Sequence, residues 1–230
     1  MLKLQGVTAT YTGKAKALDG VSFSLGENES LALIGENGAG KTSLLLAIVG
    51  VLETVSGTIE AGGARLSKKT LSEIRKKIGL VFQNPDDQLF MPLIFDDIAF
   101  GCRSLGLPED QIKARVEETL FQLNISHLRD RSPLKLSGGE KRMAAIATVL
   151  AMNPDILMFD EPATFLDPKA KRALAGILKN LRHPKIIATH DLAFAAEVCN
   201  RVIALKEGRI IADGDTSLFN DEEFLRNCGL

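Results

Sequence analysis

The sequence predicts an α/β fold with a mainly parallel central sheet, an antiparallel sheet built from its start, and an inserted helical lobe. Three features carry that expectation. Short apolar runs at 156–159 (ILMF), 186–188 (IIA) and 202–205 (VIAL) alternate with helical stretches at 168–181 and 191–199. An unbroken apolar run suits a strand covered on both faces, and strands alternating with helices argue for parallel pairing. The first 62 residues instead alternate apolar and polar positions over 2–11, 21–25 and 57–61. Turn signals at Asp19-Gly20, Gly26-Glu27-Asn28 and Gly62-Gly63 punctuate them, which reads as half-buried antiparallel strands. The third feature is a helical stretch at 95–130, lying between two strand-forming regions.

The remaining elements follow in order. Residues 30–34 (SLALI) form a short buried strand that runs into a glycine loop, and 41–51 read as a helix. Residues 78–82 (IGLVF) are another apolar strand. A helix is expected at 108–123, with Pro108 in its first turn and Glu109 and Asp110 at the positive end of its dipole. Another is expected at 138–152, and a short helical tail follows Asp213-Gly214-Asp215. The 230 residues suffice for one sizeable core and are short for two independent domains. We therefore expect one domain over 1–230, with a helical subdomain at about 84–150.

Composition removes several function classes. At 45% hydrophobic and a net charge of -1, the chain has neither the low hydrophobicity nor the high charge of a disordered segment. Lys+Arg (28) and Asp+Glu (29) balance, whereas a nucleic-acid binder usually carries a basic excess. No nucleic-acid partner is expected, and Lys68, Lys69, Arg75, Lys76 and Lys77 read as a solvated helix face. Cys102, Cys199 and Cys228 are far apart and in no metal-ligand spacing, so they read as reduced thiols. The start lacks the apolar core of a signal peptide, and no apolar run approaches the ~18–20 residues that span a bilayer. Membrane association is expected to run through partners.

The strongest local motif is GENGAGKT, formed by Gly35, Glu36, Asn37, Gly38, Ala39, Gly40, Lys41 and Thr42. It fits the P-loop pattern, with a strand before it and a helix after it. Backbone N–H groups of such a turn, backed by a helix N-terminus, cradle phosphates. Lys41 is placed to reach the β- and γ-phosphates, the Thr42 hydroxyl to ligate Mg²⁺, and Ser43 follows in the same turn. ATP and Mg²⁺ are the expected ligands. A second element, PDILMFDEP, ends an apolar strand in Asp160 and Glu161. A carboxylate at the carboxyl edge of an α/β sheet can hold Mg²⁺, and the next one can serve as general base to the attacking water. The third element, LSGGE, places Ser137, Gly138 and Gly139 before Glu140, Lys141 and Arg142. Locally it reads first as a helix cap, with Glu140 at capping-box spacing, and second as an anion-binding tip.

Taken together, these motifs resemble the nucleotide-binding domain of ABC ATPases over about residues 1–220. That resemblance implies an ABC-type P-loop NTPase with a RecA-like core. It makes Glu161 the base, His190 (in IIATHDL) the switch histidine, Gln83 a residue meeting Mg²⁺ and water, and Tyr11 an adenine-stacking aromatic. It implies that Ser137 and Gly139 bind the γ-phosphate held by a second ATP-binding subunit, with Asp167 in the D-loop. Two departures stand out: Glu140 where the signature has glutamine, and Phe165 where the D-loop has a small residue. His127 and His183 have no such context and read as surface or structural.

Residues 82–90 (FQNPDDQLF) and 96–101 (DDIAFG) further resemble the ATPases of energy-coupling-factor importers, especially the cobalt/nickel branch. This implies a peripheral subunit on the cytoplasmic membrane face. Its partners would be a transmembrane coupling protein and a small substrate-binding membrane protein. Leu89, Phe90, Met91, Pro92, Leu93 and Phe95 are candidates for the groove receiving a coupling helix. The alternatives are another ABC importer, an exporter, or a soluble ABC ATPase of translation or DNA repair.

Overall fold

In the computed structural model, residues 2–11 and 15–230 are described. Two sheets share the core. The first is antiparallel, in the order β2-β1-β4-β5, from β1 (Leu2–Thr10), β2 (Lys16–Leu25), β4 (Thr54–Ala61) and β5 (Ala64–Arg65). The second runs β10-β9-β3-β8-β7-β6, from β3 (Ser30–Ile34), β6 (Ile78–Val81), β7 (Ile156–Asp160), β8 (Lys185–Ala188), β9 (Arg201–Lys206) and β10 (Arg209–Asp215). Five of its strands pair in parallel, and β10 closes one edge antiparallel to β9.

The parallel strands are mainly apolar because both faces are covered: all five residues of β3 and of β7 are buried. On one side, Leu31, Leu33, Ile156, Met158, Ile186 and Ile203 meet α1 (Lys41–Ile48) and the inner face of the antiparallel sheet. On the other, Ala32, Ile34, Leu157, Phe159, Ile187 and Val202 meet a helical layer. That layer contains α3 (Ile94–Ser104), α4 (Glu109–Gln122), α5 (Gly138–Leu150), α6 (Pro168–Asn180) and α7 (Leu192–Val198). The remaining helices are α2 (Leu71–Lys77), before β6, and α8 (Glu222–Asn227), at the tail.

Several expectations shift. Asp19-Gly20 is no chain reversal: both residues lie inside β2, where Val7 pairs with Val21 but Ala9 with Leu18, which inserts one extra residue. Gly20 supplies the positive φ (72°) that such a bulge needs. The first helix stops at Ile48, short of 51, and Phe82 lies beyond the end of β6, exposed. The stretch 95–130 resolves into α3 and α4, broken at Gly106 (φ 78°), and Pro108 takes the N-cap of α4. Among the groove candidates, Leu89 is buried in the helical layer's core, whereas Phe90 is 63% exposed and packs edge-on against Phe100. All three cysteines are unpaired thiols and buried. No described helix is long and apolar enough to cross a membrane.

Candidate active site

Four adjacent parallel strands, β3, β8, β7 and β6, end on one edge of the sheet. From their carboxyl ends come Gly35, Thr189-His190, Glu161 and Phe82-Gln83 respectively. That topology alone gathers side chains from positions 35 to 190. They line a cleft of about 350 Å³ with Asn37, Gly38, Gly40, Lys41, Thr42, Ser43, Gln83, Asp160, Glu161 and His190 on its walls.

The glycine loop is forced by close packing. Gly35 has φ 145°, and a Cβ there would lie 2.3 Å from the Leu205 carbonyl oxygen. Gly40 has φ 107°, and its Cβ would stand 2.8 Å from the carbonyl of Ala17. Helix α1 starts directly after Gly40, which offers no side-chain cap, and its first turn carries no acidic residue. The first N–H groups of a helix have no partner within it, so this end presents donors and a positive dipole to an anion. Lys41 folds back over the loop, with Nζ donating to the carbonyls of Gly35 (2.7 Å) and Glu36 (3.2 Å). Burial pulls its ammonium below the ordinary value, against the nearby carboxylates of Glu161, Asp160 and Glu36.

The Thr42 hydroxyl donates to Asp160 Oδ2 at 2.8 Å. Asp160 Oδ1 is buried and has no hydrogen-bond partner among the described residues. Burial pushes this carboxyl above the usual carboxylate range, and the Thr42 hydrogen bond only partly offsets it. A free carboxylate oxygen beside a hydroxyl oxygen is a fitting donor set for Mg²⁺. That ion is usually held by one or two protein oxygens, with substrate phosphates and water filling the rest. Among the described residues, no cluster of three or more His, Cys, Asp or Glu is placed to hold a metal ion.

Glu161 adopts φ 45°, in the left-handed region that a residue with a long side chain seldom occupies. Its backbone N–H donates to the Ala188 carbonyl at 2.8 Å, tying β7 to β8 at the turn. Its Oε1 lies 2.9 Å from His190 Nδ1, and its Oε2 accepts from Thr189 (3.3 Å) and more weakly from Thr164 (3.4 Å). A carboxylate only accepts, so we assign the shared proton to His190 Nδ1, leaving Nε2 outward on a half-exposed ring. Tyr11 stands at the cleft rim, 42% exposed, with its hydroxyl 3.1 Å from Ser43 Oγ.

Ser137, Gly138, Gly139 and Asp167 are not in this cleft. They line a separate cavity of about 660 Å³ with Phe165 and Leu166. Ser137 caps α5, with Glu140 completing a capping box, and Asp167 caps α6 through the amides of Lys169 and Ala170. The local capping reading of LSGGE is therefore correct as far as one chain goes.

Two residues outside the sequence expectations shape the site. Arg142, 2% exposed, donates to the Phe82 carbonyl at 2.7 Å and to the Gln83 carbonyl. Gln88 accepts from the Phe82 N–H (3.1 Å) and donates to the Ala145 carbonyl and to Thr148 Oγ1 (2.7 Å each). Both bind the segment carrying Gln83 to α5, the helix that Ser137 caps. The Arg142 position directly behind the LSGGE motif was the only sequence signal, and burial decides its role.

The family model described as ABC transporter matches residues 18–164. The chain is 43% identical to the energy-coupling factor transporter ATP-binding protein EcfA of Carboxydothermus hydrogenoformans, covering 100% of this chain and 86% of that protein. It is 42% identical to the cobalt import ATP-binding protein CbiO of Rhodobacter capsulatus, covering 100% and 84%. Among solved structures, CbiO1 of Clostridium perfringens, part of the ABC transporter complex cbiONQ, superposes with TM-score 0.87 at 36% identity over 98% of this chain and 93% of that one. The dimeric ATP-binding cassette MJ0796, bound to ADP and Pi, gives TM-score 0.83 at 27% identity over 94% and 99%.

Proposed function

We propose the following function on one premise: this chain belongs to the ABC transporter family of ATP-binding subunits. It hydrolyses ATP and couples the hydrolysis to import through an energy-coupling-factor type transporter. The observation that carries the ATPase reading is the convergence of Lys41, Thr42, Gln83, Asp160, Glu161 and His190 in one cleft, with Glu161 and His190 2.9 Å apart.

In this reading the amides of residues 38–43 and the Lys41 ammonium hold the β- and γ-phosphates, and Tyr11 stacks on adenine. Thr42, Asp160 and Gln83 would hold Mg²⁺, which would supply positive charge against the phosphates. Glu161 orients the attacking water and accepts its proton, while Thr189 and His190 fix the carboxylate. His190 Nε2 faces the γ-phosphate. Ser137 and Gly139 lie in a different cavity from the P-loop, which supports a site completed by a second subunit, arranged head to tail. The dimeric neighbour supports the same arrangement. The γ-phosphate then contacts both chains, so ATP favours the closed dimer and hydrolysis releases it.

The similarity to EcfA and CbiO supports a peripheral position on the cytoplasmic membrane face, against a transmembrane coupling protein and a substrate-binding membrane protein, with cobalt or nickel as cargo. Half-exposed and exposed side chains at Phe90, Met91 and Phe100 offer the contact surface. The test is to capture tagged Glu161→Gln protein from detergent-solubilised native membranes with ATP. Co-elution of a coupling protein and a small integral membrane protein supports import. Recovery of ribosomal or DNA-repair proteins alone would exclude it.

A further inference from the structure

At the start of α5, Glu140 touches Ser137 three times. Its Oε2 accepts from the Ser137 N–H at 2.8 Å and from the Ser137 hydroxyl at 2.7 Å, and its own N–H donates to Ser137 Oγ at 3.3 Å. A serine hydroxyl has one proton. Here that proton is directed at a carboxylate, which can only accept, in a charge-assisted bond of roughly twice the strength of a neutral one. A phosphate oxygen needs a donor, so Ser137 reaches one only by leaving Glu140. The carboxylate also places a negative charge at the helix end that would meet an anion. The Arg131 cation nearby offsets part of that charge and His127 Nε2 lies 3.9 Å from Glu140 Oε1, but neither bonds the hydroxyl.

We propose that Glu140 is a brake on dimer closure: it holds the Ser137 proton away from the γ-phosphate of the second subunit, so ATP closes this dimer less tightly than a neutral amide at 140 would allow. The inference rests on the proposed reading of Ser137 as the cross-subunit phosphate ligand. Glutamine at 140 keeps the cap, since its carbonyl accepts from the same Ser137 N–H. It holds the hydroxyl proton only weakly and carries no charge. Glu140 is thus a positioning residue acting through Ser137.

The test titrates purified Glu161→Gln protein with ATP and Mg²⁺ and reads the dimer fraction by light scattering, with and without Glu140→Gln. The added substitution is expected to lower the ATP concentration at half-dimerisation about ten-fold, the factor a single charge-assisted hydrogen bond commands. Thermal unfolding of the two proteins without nucleotide should stay cooperative, with Glu140→Gln melting only slightly lower, because the bond to the Ser137 N–H survives while the charge-assisted one weakens. Adding Ser137→Ala to the double variant should erase the gain, since the effect passes through that hydroxyl. An unchanged or higher ATP requirement after Glu140→Gln, or a gain that survives Ser137→Ala, overturns the brake and leaves the cross-subunit site standing. No ATP-driven dimer in either background overturns both.

Discussion

The Thr42 hydroxyl and the Asp160 carboxylate meet at 2.8 Å across 118 positions of sequence, joining the P-loop helix to the end of β7. Only Oδ2 is served by this bond, and Oδ1 is buried without a partner. The fold therefore carries a cost at this residue. Asp160→Asn should stabilise the protein without nucleotide by about 1 kcal/mol, a rise of roughly 2–4 °C in Tm. The sign follows from the raised carboxyl. A group with a raised folded pKa stabilises the fold below its ordinary pKa and loses that contribution as pH rises. The gain should thus be small near about pH 4 and full at about pH 7–8. The same variant should require more Mg²⁺ for half-maximal hydrolysis. Equal melting temperatures at pH 7–8 would show that Oδ1 is satisfied after all.

In the proposed reading, Glu161→Gln removes the proton acceptor and leaves the phosphate cradle untouched. Its kcat should fall roughly 10²–10⁴-fold, the range of a positioned acid–base group, with ATP affinity unchanged within about two-fold. Single-turnover hydrolysis and equilibrium nucleotide binding measure the two quantities separately. Full activity in this variant would move the base elsewhere.

Arg142 is a buried cation whose partners are two carbonyls, and burial pulls its guanidinium below the ordinary value. Arg142→Ala leaves the Phe82 and Gln83 carbonyls without these donors and opens a gap behind the cleft. We expect a loss of about 2–4 kcal/mol in stability. Arg142→Lys keeps a charge but not the fork, and a single ammonium replaces two converging donors poorly. It should retain more stability than alanine and still lower kcat, because Gln83 is positioned through this contact. Chemical denaturation and steady-state ATPase assays resolve the two effects.

The candidate site residues were the legible part of the sequence. Lys41 and Thr42 sit in a glycine loop and Asp160 and Glu161 stand at a strand's end beside it, which local pattern locates, whereas Gln83 and His190 came with the family resemblance. The fold brings all six to one cleft. The parts that escaped depend on pairing. Strand β10 alternates exposed and half-buried residues at a sheet edge, and its short apolar run 210–212 sits among charged and glycine residues. Asp19-Gly20 looks like a turn because a bulge uses the same residue types. Arg142 and Gln88 earn their positions from carbonyls and hydroxyls about 60 residues away, and nothing in their neighbours signals this. Leu89 reads as a groove candidate, yet two residues past the 3-10 turn Pro85–Asp87 its side chain is buried in the helical layer's core.

Tyr11 tests the binding half of the site without touching the chemistry. It stands where β1 ends, 42% exposed, and among the described residues its hydroxyl contact with Ser43 ties it to the P-loop helix. Tyr11→Ala removes an aromatic face whose stacking acts equally on substrate and transition state, so KM for ATP should rise about ten-fold with kcat unchanged. Tyr11→Phe should behave as the native protein, because the face remains. A fall in kcat instead of a rise in KM would place Tyr11 in loop positioning and not in adenine binding.

Cys199 offers a readout of core integrity. It is 7% exposed at the end of α7, and burial drives its thiol up to about 12, against the pull of the nearby Lys185 cation. Lys185 is itself buried, donating to Ser30 Oγ and the Leu181 carbonyl, with burial pulling its ammonium down. Cys102 and Cys228 are buried as well, with thiols likewise raised by burial. Reactivity follows the thiolate and its access, so native protein at about pH 8 should show no rapidly reacting thiol, against three in denaturant. The unfolded chain loses the Cys199 proton near 9.0 whereas the fold keeps it to about 12, so this group's stabilisation is complete below about pH 9 and declines above it. Denaturation midpoints measured from about pH 8 to 11 should fall on the alkaline side, and Cys199→Ala should flatten that fall. An identical alkaline slope in the variant would assign the loss to the other buried groups.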